Sequence, residues 1–145
     1  MKPKGAYVSI PLIMVFLFCF LVQQGHSGEI RGVTKDTIKI GIMFSQTGVA
    51  ADAGIPYTAA ARNYFRYINE MGGIRGRKIK SIVEDDRYSI PIALAAFKKL
   101  VYKDEVLALM AVGGTVPITA LYRSIEKEKM PSFGVSMVET SVKPH

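Results

Sequence analysis

The sequence predicts an α/β fold, a doubly wound parallel sheet, on three observations. Short apolar runs rich in β-branched residues recur along the chain, amphipathic helical patterns separate them, and the two alternate strictly as strand, helix, strand, helix, strand, helix, strand. Near-continuous apolar strands joined through helices imply parallel pairing with helices on both faces of the sheet. No internal repeat and no low-complexity segment interrupts the order.

The first strand is read over residues 38–44, where Ile38, Ile40, Ile42, Met43 and Phe44 surround Lys39 and Gly41. From Pro56 onward, Tyr57, Ala60, Ala61, Tyr64, Phe65, Ile68 and Met71 fall at helical spacing, and Gly72-Gly73 stops the pattern. Proline at a helix start and glycine just past its end are the expected punctuation. A second strand is expected at residues 78–84, carrying Ile79, Ile82 and Val83 into Asp85-Asp86. Ser89 is placed to cap a helix over 90–103, with Pro91 tolerated in its first turn. Residues 106–112 form an apolar run too short for a helix and bounded by Gly113-Gly114. A third helix is expected from Pro117 to about Lys129, and residues 131–135 open a fourth strand.

Ligands of such sheets bind at the carboxyl ends of the strands, where loops lead into helix N-termini. The candidate loops are therefore 45–55, 85–89, 113–116 and the segment around Ser136. Gly113-Gly114-Thr115-Val116-Pro117 carries the most information: two glycines let backbone approach a ligand, Thr115 offers a hydroxyl, and unpaired N–H groups at a helix start favour an anion or carbonyl oxygen. The same residues also suit an ordinary tight turn with Thr115 as the helix cap. Ser45-Gln46-Thr47-Gly48 adds two hydroxyls and an amide, and by itself reads as loop chemistry. Gly72-Gly73-Ile74-Arg75-Gly76 follows a helix and precedes a strand, the reverse of a dinucleotide-binding loop. Glu84-Asp85-Asp86 does not read as a metal cluster, since adjacent strand residues point to opposite faces; Asp85 or Asp86 is expected to cap a loop or meet a cation.

The N-terminus has the form of an export signal: Lys2 and Lys4, an apolar stretch at 10–22, then small residues at Gly25 and Ser27, with cleavage expected after Ser27. Thirteen apolar residues are short against the roughly 20 of a membrane-spanning helix, the competing reading. Cys19 is the only cysteine, and bulky Phe18 beside it argues against lipidation. Without residues 1–27 the chain has no cysteine, hence no disulfide framework, thiol nucleophile or cysteine-based zinc site. It then carries 17 cations against 12 anions, a net charge of +5 rather than +7. No basic run is interleaved with aromatics, so nucleic acid is not an expected partner. Once the signal is removed, His145 is the only histidine and the last residue, which leaves no Ser-His-Asp arrangement and no expectation of an enzyme, a cofactor or a metal.

Together these features resemble a known family. Ile38-Lys39-Ile40-Gly41 leading to Thr47-Gly48, then Ile68-Asn69-Glu70-Met71-Gly72-Gly73-Ile74-Arg75-Gly76, Asp85-Asp86, Gly114-Thr115 and Lys129-Met130-Pro131 resemble the N-terminal lobe of branched-chain-amino-acid-type periplasmic binding proteins. The resemblance covers residues 34–144, and its most specific part is the asparagine with its spaced glycines ahead of a strand ending in two aspartates. It implies a type I, leucine-binding-protein-like receptor of an ATP-binding-cassette importer, in which two lobes close over a small solute and deliver it to a membrane permease. It further implies that Gly114, Thr115, Val116, Ser136 and Met137 hold a carboxylate or amide head, with Thr47 and Gly48 beside them. Two positions depart from the pattern: Ala53 stands where a ligand-covering aromatic is common, and Met137-Val138-Glu139 where Ser, Thr or Ala follows the fourth strand.

The resulting expectation is a periplasmic or extracellular solute-binding protein, with a signal peptide at 1–27 and a partial N-terminal lobe of the two-lobed fold at 28–145, the second lobe lying beyond this sequence. Its expected partners are a branched-chain amino acid, amide or aromatic acid and the permease. Two alternatives stand beside it: an extracellular sensor domain of a membrane receptor, and an exported α/β hydrolase or phosphotransfer domain, which needs a nucleophile and base converging at the strand ends.

Overall fold

A computed structural model describes residues 30–134. The expected export signal, Cys19, Ser136, Met137, Val138, Glu139 and His145 lie outside the described residues. Four strands form one parallel sheet in the order β2-β1-β3-β4, comprising β1 (Thr37–Met43), β2 (Lys78–Glu84), β3 (Ala108–Val112) and β4 (Ser132–Phe133). Between them run α1 (Ala51–Glu70), α2 (Ile90–Lys98), which continues as a π-helical turn at Lys99–Lys103, and α3 (Thr115–Lys127). Among these described residues no helix is long and apolar enough to cross a membrane.

The strands are apolar on both sides because both sides are covered. On one face Met43 and Leu109 pack with Phe97 and Leu100 of the second helical segment and with Ile118 and Leu121 of α3. On the other, Ile42 packs with Ala61 of α1, flanked by Phe44, Tyr57, Phe65, Val83 and Met110. Gly41 lets the first layer lie close: a Cβ there would stand 2.9 Å from a Leu109 methyl and 3.2 Å from Leu100. A larger residue would need both leucine tips to shift.

Two helix starts differ from expectation. α1 begins at Ala51, so Pro56 lies inside it and the first loop ends five residues sooner. The early turns are secured by tertiary packing. Gly54 donates its N–H to the Ala50 carbonyl at 2.9 Å, and its missing side chain lets the helix lie against Ser45, whose carbonyl would stand 1.8 Å from a Cβ. α3 begins at Thr115, with Gly114 as its cap and Pro117 in the first turn. Thr115 is therefore not the helix cap. Ser89 does occupy the cap position of α2, but through its carbonyl, which accepts the Ala93 N–H at 2.8 Å; its hydroxyl makes no capping bond.

The turn between α1 and β2 explains its own sequence. Arg75 and Gly76 both adopt positive φ, at 50° and 81°, and Ile74 and Arg77 exchange backbone hydrogen bonds across them. Asn69, at the last turn of α1, grips the edge of β2: its Nδ2 donates to the Ile79 carbonyl at 2.8 Å and its Oδ1 accepts the Ile79 N–H at 2.7 Å.

Candidate functional site

At the carboxyl end of the sheet the loops after β1 and β2 are joined by two aspartates. Strand β2 ends at Glu84, whose carboxylate turns to Lys99, and the chain then bends so that Asp85 and Asp86 both face the first loop. That bend is what the alternation expected for a continuing strand missed. Asp85 caps the loop: its Oδ1 accepts the Gln46 N–H at 2.8 Å and the Arg87 N–H at 2.9 Å, and its Oδ2 accepts the Thr47 hydroxyl at 2.6 Å. Arg87 Nε adds an ion pair at 3.7 Å. Partial burial pushes the Asp85 carboxyl up, but these hydrogen bonds together outweigh it and hold the group below its ordinary value of 3.8.

Asp86 is wholly buried and works one layer deeper. Its Oδ1 accepts the hydroxyl of buried Ser45 at 2.5 Å and the Tyr88 N–H at 3.0 Å, while Oδ2 has no protein partner among the described residues. The bond to Tyr88 matters because Arg87 and Tyr88 both hold positive φ, 50° and 55°, a conformation that non-glycine residues keep only where surroundings enforce it. Held this way, the Tyr88 ring reaches the third loop and lies on Gly114, where a Cβ would stand 2.3 Å from the ring. Phe44 does the same at Gly113, with 2.2 Å between its ring and a Cβ. The two glycines therefore admit two aromatic rings from neighbouring loops, a reason the sequence did not disclose.

This packing leaves the N-terminus of α3 presented at the strand ends. Gly114 adopts φ 76° and ψ 148°, no side chain caps the helix, and the first intrahelical donor is the Ile118 N–H to the Gly114 carbonyl at 3.2 Å. The N–H groups of Thr115 and Val116 lack intrahelical acceptors, Pro117 has none to offer, and both Thr115 and Val116 are exposed. The Thr115 hydroxyl has no partner among the described residues. Such a helix start suits one carboxylate or carbonyl oxygen bound by backbone donors.

Of the residues expected at a site, Gly114, Thr115 and Val116 thus stand together at the head of α3. Thr47 and Gly48 occupy the first loop, where Thr47 gives its hydroxyl proton to Asp85 and Gly48 approaches the Arg87 carbonyl. Ser136 and Met137 lie outside the described residues. Tyr88 was missed, since an aromatic in a polar loop belongs to no periodic pattern. Among the described residues no group of three His, Cys, Asp or Glu is placed to hold a metal.

Comparison with known proteins gives a consistent set. A family model described as periplasmic binding protein matches residues 37–144. An amino acid binding protein of Pseudomonas aeruginosa is 32% identical over 88 residues, 59% of this chain and 24% of that protein. Among solved structures, a fatty acid ABC transporter substrate-binding protein from Thermomonospora curvata superposes with a TM-score of 0.71 at 34% identity, over 77% of this chain and 28% of the other. A branched-chain amino acid transporter substrate-binding protein from Streptococcus pneumoniae in complex with isoleucine gives 0.66 at 25%, over 72% and 30%. A solute-binding protein of an ABC transporter from Rhodopseudomonas palustris, in complex with 3,4-dihydroxybenzoic acid, gives 0.59 at 26%, over 68% and 26%. The chain thus spans about a quarter to a third of the length of these relatives.

Proposed function

Because the chain belongs to the periplasmic binding protein family, we propose that it serves an ATP-binding-cassette importer as an extracytoplasmic receptor for a small carboxylated solute. The family is one of solute-binding proteins rather than enzymes, and the described residues form a partial lobe of its two-lobed fold. The observation that carries the reading is the uncapped start of α3, where Thr115 and Val116 are exposed and their N–H groups have no intrahelical acceptor. A carboxylate there gains charge-assisted hydrogen bonds and the favourable end of the helix dipole. The relatives' solutes support the same chemistry, since a fatty acid, isoleucine and dihydroxybenzoic acid share a carboxyl group and little else. Thr47, Gly48, Ser136 and Met137 complete the proposed head-group site, the second lobe closes it, and the permease of the importer receives the solute.

Thermal-shift screening of a complete, two-lobed version of the protein against amino acids, fatty acids, aromatic acids and amides tests this. At a solute concentration about tenfold above Kd, binding adds about 1.4 kcal/mol, read as a rise in Tm. Thr115→Ala is expected to weaken the carboxylated solute by about three- to tenfold through loss of one hydrogen bond. A response to nucleotides instead, or to none of these solutes, counts against the reading.

A further inference from the structure

The open edge of the sheet carries a second feature, remote from the strand ends. Lys78 donates its N–H to the Asp36 carbonyl and the Glu84 carbonyl accepts from Phe44, so the even-numbered residues of β2 turn their backbone toward β1. Ile79 turns the opposite way, to Asn69. By the two-residue period of a strand, Ser81 and Val83 also present N–H and C=O outward, and among the described residues β2 is the edge strand with no neighbour on that side. Asn69 satisfies the edge at Ile79 and stops there, leaving the next two outward positions open. Beside them, between α1 and the edge, lies a cleft of about 390 Å³ whose lining includes Arg62, Asn63, Arg66, Asn69 and Ser81.

The exposed charge around this edge is mostly positive, with Glu70 the acid beside the cleft. Arg62 and Lys80 are exposed and without partners among the described residues, and Arg66 meets only Glu70, at 4.0 Å in a largely exposed pair. An open edge is a template for another strand. Its cations repel a second copy of the same edge, because like charges face to face disfavour association. A small anion would use the arginines and leave the alternating donors and acceptors of Ser81 and Val83 idle.

We infer that the β2 edge is a docking site for an extended acidic segment of another protein, added as a fifth strand, with its backbone on Ser81 and Val83 and its carboxylates on Arg62 and Arg66. Asn69 sets where the added strand begins.

The test uses the full 145-residue chain and three labelled hexapeptides: alternating valine and glutamate, the same with lysine for glutamate, and the glutamate peptide N-methylated at alternate backbone positions. The unmodified glutamate peptide is expected to raise fluorescence anisotropy and to slow amide hydrogen exchange at Ser81 and Val83 by about tenfold or more, while the other two do neither. Joint Arg62→Ser and Arg66→Ser substitution, checked for folding by circular dichroism, is expected to weaken the peptide about fivefold, as loss of exposed ion pairs does. Should the variant unfold, the three peptides on the unaltered chain still decide. Equal binding of the lysine or N-methylated peptide overturns the inference. So does protection of Ser81 and Val83 by a second copy at rising protein concentration, or by phosphatidylserine-containing vesicles, with no effect of the glutamate peptide.

Discussion

Replacing Asp85 should uncouple the first two loops and change how the chain responds to acid. Its carboxylate collects the Gln46 N–H at 2.8 Å, the Arg87 N–H at 2.9 Å and the Thr47 hydroxyl at 2.6 Å, and its side chain is only 23% exposed. Hydrogen bonds to a charged group contribute about 1.5–3 kcal/mol each, but water can replace part of them at this depth. Asp85→Ala is therefore expected to cost about 2–3 kcal/mol, and Asp85→Asn, which keeps one acceptor oxygen, about 1 kcal/mol. The sign of the pH effect follows from the lowered pKa. In acid the unfolded chain takes up the Asp85 proton before the folded chain does, so the contribution is complete above the ordinary value of 3.8 and is lost as pH falls through the lower folded value. Urea unfolding of the native chain and the asparagine variant from neutral pH into acid measures this as a gap that closes below that range. A gap constant at every pH, or an alanine variant within about 0.5 kcal/mol of the native chain, would refute the coupling.

Three further outcomes follow from the packing. Gly54→Ala puts a Cβ 1.8 Å from the Ser45 carbonyl, so α1 must separate from the first loop at a cost of about 3 kcal/mol in urea unfolding. Asn69→Ala leaves the Ile79 N–H and C=O without their partners; a loss of about 1–3 kcal/mol and faster hydrogen exchange at Ile79 are expected. Tyr88→Ala removes the ring from Gly114, and thermal-shift profiles should then change in their preference among solute tails while carboxylated solutes as a class still bind; an unaltered rank order would show that Tyr88 does not line the site.

What the sequence disclosed and what it hid divide along a physical line. The bounds of β2 were legible to the residue because Lys78-Ile79-Lys80-Ser81-Ile82-Val83-Glu84 sits between a glycine turn and an acidic bend, both local signals. The start of α1 was not, because Pro56 mimics a helix start while the actual first turn depends on Gly54 resting against Ser45, a packing contact that no rule about proline reads. At the candidate site, the place of Gly114, Thr115 and Val116 between a strand and a helix was legible from the strand-glycine-helix order, which is local again. The partners of those glycines were hidden. Phe44 and Tyr88 come from other loops, and only the sheet order brings them to Gly113 and Gly114.

That arrangement bears on how such a site selects its solute. Asp85 and Asp86 tie the second loop to the first, and Tyr88 and Phe44 tie both to the third, so the backbone donors at α3 are positioned by protein contacts alone. Donors held in advance spare a solute the cost of ordering them. Backbone N–H groups also read only the oxygen they meet, whatever tail is attached to it. On the proposed reading, a shelf built this way would recognise the carboxylate as a class and leave discrimination between an aliphatic and an aromatic tail to the side chains around it. Within the described residues Tyr88 is the large side chain that stands beside Gly114 and is fixed there by a buried carboxylate. If a carboxylated solute binds as proposed, selection among such solutes turns on the loop that Asp86 holds, while affinity for the carboxylate itself turns on α3.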